Sequence, residues 1–258
     1  MSFRRYIRKY VLMCLPSSTR LFIEYMYYKR FVEAEVELIR KLCDPRKISL
    51  DIGANNGGMT LFLSRFSEKV YCFEPIPALC DHLRSRFERR NVIVECCALG
   101  DRNEEAYLNI PCINGDLYYG WSSLSKEFNN EIIYGKCVDN VERLKVFVNR
   151  LDDYNFNNVG FIKMDVEGYE MNVLRGAVNT IKASMPNMCI EIEKRHHGGD
   201  EIDRIFKYIL DIGYHGFFIW KEHTYAIDKF DVNVMQDINN EEKSRYVSNI
   251  FFSVKDIF

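Results

Sequence analysis

Four carboxylates stand where short apolar runs end: Asp51, Glu74, Asp165 and Glu193. Asp51 lies in Ile48–Thr60, Ile-Ser-Leu-Asp-Ile-Gly-Ala-Asn-Asn-Gly-Gly-Met-Thr. A carboxylate there repels phosphate and welcomes a cation or an ammonium group. The glycine spacing Gly53-Ala-Asn-Asn-Gly57-Gly58 is neither the G-x-G-x-x-G of a dinucleotide site nor the Gly-Lys-Ser/Thr ending of a nucleoside-triphosphate loop. Glu74 follows the turn by about 20 residues, the usual place for an acid that binds ribose hydroxyls. Together these groups suit a nucleoside with a positively charged tail, and S-adenosylmethionine is such a molecule. Methyl transfer from a sulfonium needs an acceptor oxygen lined up behind the methyl group and a base for its proton. Candidates for that work are Asp165 and Glu167 after one run, and Glu193 and His196 after the next.

The elements that must hold these residues follow from periodicity. Ile48, Leu50 and Ile52 read as a buried strand ended by Gly53, and Met59, Phe62, Leu63 and Phe66 share one helical face. Val70 to Glu74 is a second strand, Ile76, Leu79, Cys80, Leu83 and Phe87 a helix, and Val92 to Cys96 a third strand. Residues Arg102 to Asn149 lose this alternation; Tyr107–Ile110 and Leu144–Val148 read as strands around a polar stretch, an insertion placed to act as a lid over the acceptor. Regularity returns with a strand over Val159–Met164, a helix lined by Leu174, Ala177, Val178 and Ile181, and a strand over Met188–Glu193. A helix through Ile202, Ile205, Phe206, Ile209 and Leu210 precedes an antiparallel pair, Phe217–Trp220 with Asn249–Val254. The order predicts an α/β fold: a Rossmann-like open twisted sheet, mostly parallel with a late antiparallel strand, with helices on both faces.

Leu50–Gly57, Phe73-Glu-Pro75, Ala98-Leu-Gly-Asp101, Leu151-Asp-Asp153 and Ile162–Glu170 (Ile-Lys-Met-Asp-Val-Glu-Gly-Tyr-Glu) together resemble FkbM-type methyltransferases. The resemblance runs from Lys47 to the C-terminus and implies a class I, S-adenosylmethionine-dependent enzyme, commonly an O-methyltransferase, with a sheet of about seven strands. It assigns the donor to Asp51, Gly53, Asn55, Asn56, Gly57, Glu74, Pro75, Ala98, Ser123 and Asp165, with Cys97–Asp101 against the adenine. The part of Gly120-Trp-Ser-Ser-Leu124 is either donor contact or an ordinary turn with a packed tryptophan. Asp165, Glu167, Glu193 and His196 carry the catalytic roles, with His196 as base and no metal ligand assigned; carboxylates grouped on a divalent cation are the second reading.

Length and composition set the remaining bounds. A chain of 258 residues suits a domain over 47–258, with the insertion at about 102–149, behind a helical extension over 1–46. A net charge of −2 gives no global reason to expect nucleic acid, and the 47% hydrophobic share is ordinary for a soluble globular protein. Nine cysteines without a C-x-x-C pair read as reduced thiols packed as small hydrophobes in a cytoplasmic protein. Residues 1–30 carry seven basic residues, several aromatics and the single acid Glu24, which suits packing on the domain or peripheral contact with an anionic membrane. The acceptor is a small molecule or glycan: a sugar hydroxyl of a surface polysaccharide or lipid-linked glycan leads, with a polyketide-type natural product as the alternative. A nicotinamide-dependent oxidoreductase on a similar fold and a non-catalytic subunit are the competing classes. Oligomeric state has no signature in the sequence.

Overall fold

The computed structural model describes residues 33–128, 132–133, 136–237 and 246–255. Most of the 1–46 extension, including all of its basic, aromatic part, therefore lies outside the described residues. In chain order the elements begin with α1 (Glu33–Leu42), β1 (Ile48–Ile52), α2 (Gly58–Leu63), β2 (Lys69–Phe73), α3 (Pro77–Arg86) and β3 (Val92–Glu95). Then come β4 (Ala98–Leu99), β5 (Glu104–Ile113), β6 (Asp116–Leu117), β7 (Ile132–Ile133), β8 (Lys136–Cys137), β9 (Asn140–Asn149) and β10 (Val159–Met164). The chain continues through α4 (Glu170–Arg175), α5 (Val178–Ser184), β11 (Asn187–Glu191), α6 (Gly199–Asp211), β12 (His215–Trp220), β13 (His223–Ala226), α7 (Val232–Met235) and β14 (Asn249–Ser253).

The main sheet has the order β13-β12-β14-β11-β10-β1-β2-β3. β3, β2, β1, β10 and β11 run parallel, and β14, β12 and β13 are paired antiparallel. The chain steps outward from β1 through β2 to β3, then returns to lay β10 on the other flank of β1. That reversal leaves a crevice at the carboxyl ends of β1 and β10, where open α/β sheets bind ligands. Both sheet faces are covered. On one, Met59, Phe62, Leu63 and Phe66 pack with Val36 and Ile39 of α1 against Phe161 and Phe251; on the other, Leu50, Ile52 and Ile162 pack against Leu174, Ile181 and Ile205. Among the described residues no helix is long and apolar enough to cross a membrane.

Four expectations need correcting. The sheet has eight strands, because β12 turns into β13 through Lys221 and Glu222, both left-handed at φ 50° and 66°. Neither residue type signals such a turn. The helix after β10 is two helices, because Gly176 lies so close to Gly100 that a Cβ would stand 1.8 Å from its carbonyl oxygen. Asp152 of the Leu151-Asp-Asp153 motif accepts from the N–H groups of Asn179 and Thr180 and so opens the second of the two. Leu210 lies off the buried face of α6 and remains 36% exposed. Last, Cys80 and Cys96 form a disulfide, since helix α3 packed on β3 brings their Cα atoms to 5.8 Å; the other described cysteines are free thiols.

The insertion is a long hairpin. β5 and β9 pair antiparallel from Glu104↔Val148 to Cys112↔Asn140, and β4 and β6 complete a second sheet in the order β4-β9-β5-β6. Leu108, Ile110 and Val146 form its buried face and pack on Ile76 at the start of α3. The hairpin is thereby fastened beside Glu74 and Pro75.

Candidate active site

Gly53 leaves β1 at φ +82°, and its N–H and that of Ala54 both donate to Phe73 O, at 3.0 and 3.1 Å. The turn is so tightly folded over β10 that a Cβ on Gly53 would stand 1.8 Å from the carbonyl oxygen of Asp165. Glycine is required here by the backbone just past the end of β10 and not, as a donor-contact reading holds, by a ligand alone. Asn55, also left-handed, donates its N–H to Oε2 of Glu74 at 2.8 Å, while Oε1 accepts from Ile76 N–H at 3.0 Å. Glu74 is thus aimed by two backbone groups and only 4% exposed. Burial pushes its carboxyl up to about 7, against the two hydrogen bonds.

Between this turn, β4, the hairpin and the β10 end lies a cleft of about 620 Å³, counted out to open solvent. Gly53, Asn55, Glu74, Pro75, Ala98 and Asp165 lie on its wall, and Glu167 joins them from the catalytic set. Four other candidates of the donor set do not. Asp51 is 1% exposed behind the turn, where its Oδ2 accepts from the Thr60 hydroxyl at 2.5 Å and burial raises it to about 6. Asn56 accepts from Gly58 N–H at 3.1 Å and so shapes the entry to α2, while Gly57 is packed against Leu83 and Phe87. Ser123 is fully buried and donates to Glu167 O at 2.6 Å.

The ends of β10 and β11 carry a dense ionic cluster. Burial, with Glu191 nearby, raises Asp165 to about 7; burial and Asp165 raise Glu167 to about 8, against the pull of Arg195. Burial alone would lower the ammonium of Lys163, but Asp165 and neighbouring acids more than offset it. Arg195 reaches Glu167, Glu191 and Glu193 at 3.4, 3.7 and 2.6 Å. Glu193 is held by Arg195 and by the Tyr246 hydroxyl at 2.9 Å, so it is bound up behind the wall and does not face the cleft. His196 also sits behind the wall: its Nε2 is 2.5 Å from Oε2 of Glu167, out of line for a hydrogen bond, and neither ring nitrogen makes another one. Burial and then Arg195 push its pKa down to about 4. Among the described residues no three of His, Cys, Asp and Glu are grouped as metal ligands.

The wall also holds residues that the motifs carry without marking. Tyr169 lies inside the Asp165–Glu170 stretch, and Gly120, Ser122 and Leu124 come from the hairpin motif, whose Trp121 instead stacks on Tyr118 at 5.0 Å. Ser122 and not Ser123 faces the cleft, because adjacent residues of an extended segment point to opposite sides.

The model of the methyltransferase FkbM domain matches residues 51–215, which span the whole of this cleft. The chain belongs to the FkbM methyltransferase domain family. As an FkbM domain protein it is similar to Methyltransferase 1 of Beauveria bassiana (strain ARSEF 2860), 29% identical over 159 residues that cover 55% of this chain and 63% of that protein. Methyltransferase FkbM from Methylobacillus flagellatus KT superposes with a TM-score of 0.48 at 17% identity, covering 95% of this chain and 57% of that one. A Streptococcus mutans protein in complex with SAH gives a TM-score of 0.45 at 12% identity, with 86% and 96% covered. The chain thus spans less than two thirds of the length of the first two.

Proposed function

We propose that this chain is an S-adenosylmethionine-dependent O-methyltransferase acting on a hydroxyl of a sugar or glycan, with residues 47–258 as its catalytic unit. The observation that carries the reading is the acid-walled cleft at the strand reversal of an FkbM domain, with Glu74 aimed into it by Asn55 and Ile76. When bound, the donor supplies a methyl group already activated on a sulfonium sulfur. Glu74 retains lone pairs for the ribose hydroxyls, and Ala98, Leu99 and Leu108 offer an apolar slot for the adenine. Asp165 gives the positively charged end its counter-charge.

The remaining task is to orient the acceptor oxygen and remove its proton. Glu167 is on the wall and His196 is behind it. This favours Glu167, and not His196, as the group that takes the proton, since burial and Arg195 leave the imidazole a far weaker base. Glu167 must be ionised to do so, and turnover accordingly rises with pH toward about 8. Tyr119, Ser122 and Tyr169 are polar members of the lining, which includes no lysine or arginine. Such a wall suits a neutral, hydroxyl-rich acceptor better than a phosphorylated one. The basic, aromatic composition of residues 1–30 suits contact with a membrane that carries a lipid-linked glycan.

Calorimetry with S-adenosylhomocysteine and with NAD tests the donor: tight binding of NAD in place of S-adenosylhomocysteine overturns the methyltransferase reading. Transfer of labelled methyl to a panel of methyl glycosides and macrolactones tests the acceptor. Methylation of a macrolactone and of no glycoside overturns the sugar reading.

A further inference from the structure

Glu167 and Gly168 are both left-handed, at φ 51° and 97°. A glutamate holds that backbone conformation only where its surroundings over-determine it. Three contacts do so. The Ser123 hydroxyl donates to Glu167 O at 2.6 Å, the Ser125 hydroxyl donates to Gly168 O at 3.2 Å, and Gly168 N–H donates to Oε1 of Glu170 at 3.1 Å.

The third contact leads further. Glu170 is 1% exposed, and its second oxygen lies 2.6 Å from Nε2 of His197, itself 3% exposed. Nδ1 of His197 is 3.3 Å from Glu201 in the first turn of α6. Burial acts to lower the pKa of His197, but Glu170 and then Glu201 reverse the effect and raise it. His197 follows His196 directly, and the N–H groups of both donate to Glu193 O, so the two imidazoles ride on one turn. A buried ion pair is weak evidence for stability, since an apolar pair of the same size often does as well. Here it joins the turn that carries Glu167 to the loop that carries His196, and neither Glu170 nor His197 lines the cleft.

On the reading that Glu167 takes the acceptor proton, we propose that Glu170 and His197 are positioning residues whose buried contact sets the Glu167–His196 geometry. The test needs no acceptor. Imidazole Cε1–H signals of the full chain are followed across pH by NMR, with S-adenosylhomocysteine affinity measured alongside. His196 is surrounded by Arg195, Glu170, Lys126 and His197, and its signal reports their arrangement. In Glu170→Gln the His197 titration moves to lower pH and the His196 signal shifts, while S-adenosylhomocysteine affinity stays within about threefold. His197→Gln, whose amide replaces Nε2 as donor, keeps the His196 signal near its original position; His197→Ala moves it. Should Glu170→Gln not fold, the two His197 variants decide. An unmoved His196 signal in both Glu170→Gln and His197→Ala overturns the proposal and leaves the donor reading standing. Failure of the unaltered chain to bind S-adenosylhomocysteine overturns the donor reading, and the proposal with it.

Discussion

Glu74 spends one lone pair of each carboxylate oxygen on a backbone N–H and has the rest to offer the cleft. Glu74→Gln turns one oxygen into an amide nitrogen that faces a donor. Affinity for S-adenosylhomocysteine is expected to fall by roughly tenfold to a hundredfold, the worth of a hydrogen bond to a charged group; unchanged affinity by calorimetry means Glu74 does not touch the ribose. Gly53→Ala meets the Asp165 carbonyl and a φ that favours glycine, so it is expected to lower Tm first. A folded Gly53→Ala chain with normal Tm would contradict the crowding described. Glu74 and Gly53 were legible because a strand end followed by a turn leaves one place for each. Asp51 was not. The strand period puts it on the face opposite Leu50 and Ile52, but β1 is buried on both faces, so alternation alone does not say which face meets the cleft.

At the scale of elements, the βα units were readable from apolar spacing, and of the hairpin only Tyr107–Ile110 and Leu144–Val148, parts of its two strands, were. Glu104-Glu105-Ala106 and the Asn140–Arg143 stretch look like loop because only one of their faces is covered, by Ile76 and its neighbours. They pair with partners distant in the chain, from Cys112↔Asn140 near the tip to Glu104↔Val148 at the base, which no local pattern reveals. The hairpin's apolar face nevertheless closes one side of the cleft through Leu108 and Leu124. Ile110→Ala, at 1% exposure, is expected to cost about 2–5 kcal/mol and to weaken S-adenosylhomocysteine binding by loosening that wall. Denaturant unfolding measures the first effect. Hydrogen exchange of β5 and β9 amides shows whether the second comes from the hairpin, because unaltered protection there would assign the loss elsewhere.

At the scale of the molecule, charge under the sheet ends makes stability depend on pH. Asp51, Glu74, Asp165, Glu167 and Glu191 all have folded pKa values raised to between about 6 and about 8, each chiefly by burial. Between their unfolded values near 4 and these folded values, the native chain binds more protons than the unfolded one. Stability therefore falls as pH rises through about 4 to 8. His196, pushed down to about 4, works the other way: its contribution is full above its ordinary value and is lost as pH falls toward 4. Five groups outweigh one, and thermal unfolding is expected at higher temperature at pH 5 than at pH 8. Glu167→Gln should flatten that slope, and an unchanged slope would remove Glu167 from the list of strained acids.

The acid wall has a consequence for the end of the catalytic cycle. Transfer of a methyl from a sulfonium leaves a neutral thioether, so the spent molecule carries one positive charge fewer than the one that entered. Asp165 and Glu167 attract the former cation and gain nothing from the latter. On the proposed reading the cleft discriminates between fuel and ash, and the same carboxylates that draw the substrate in relieve product inhibition. The ratio of the S-adenosylhomocysteine to the S-adenosylmethionine dissociation constant is expected to drop in Asp165→Asn, as the preference for the charged form is lost. A ratio that holds steady would mean the wall is screened from the sulfur.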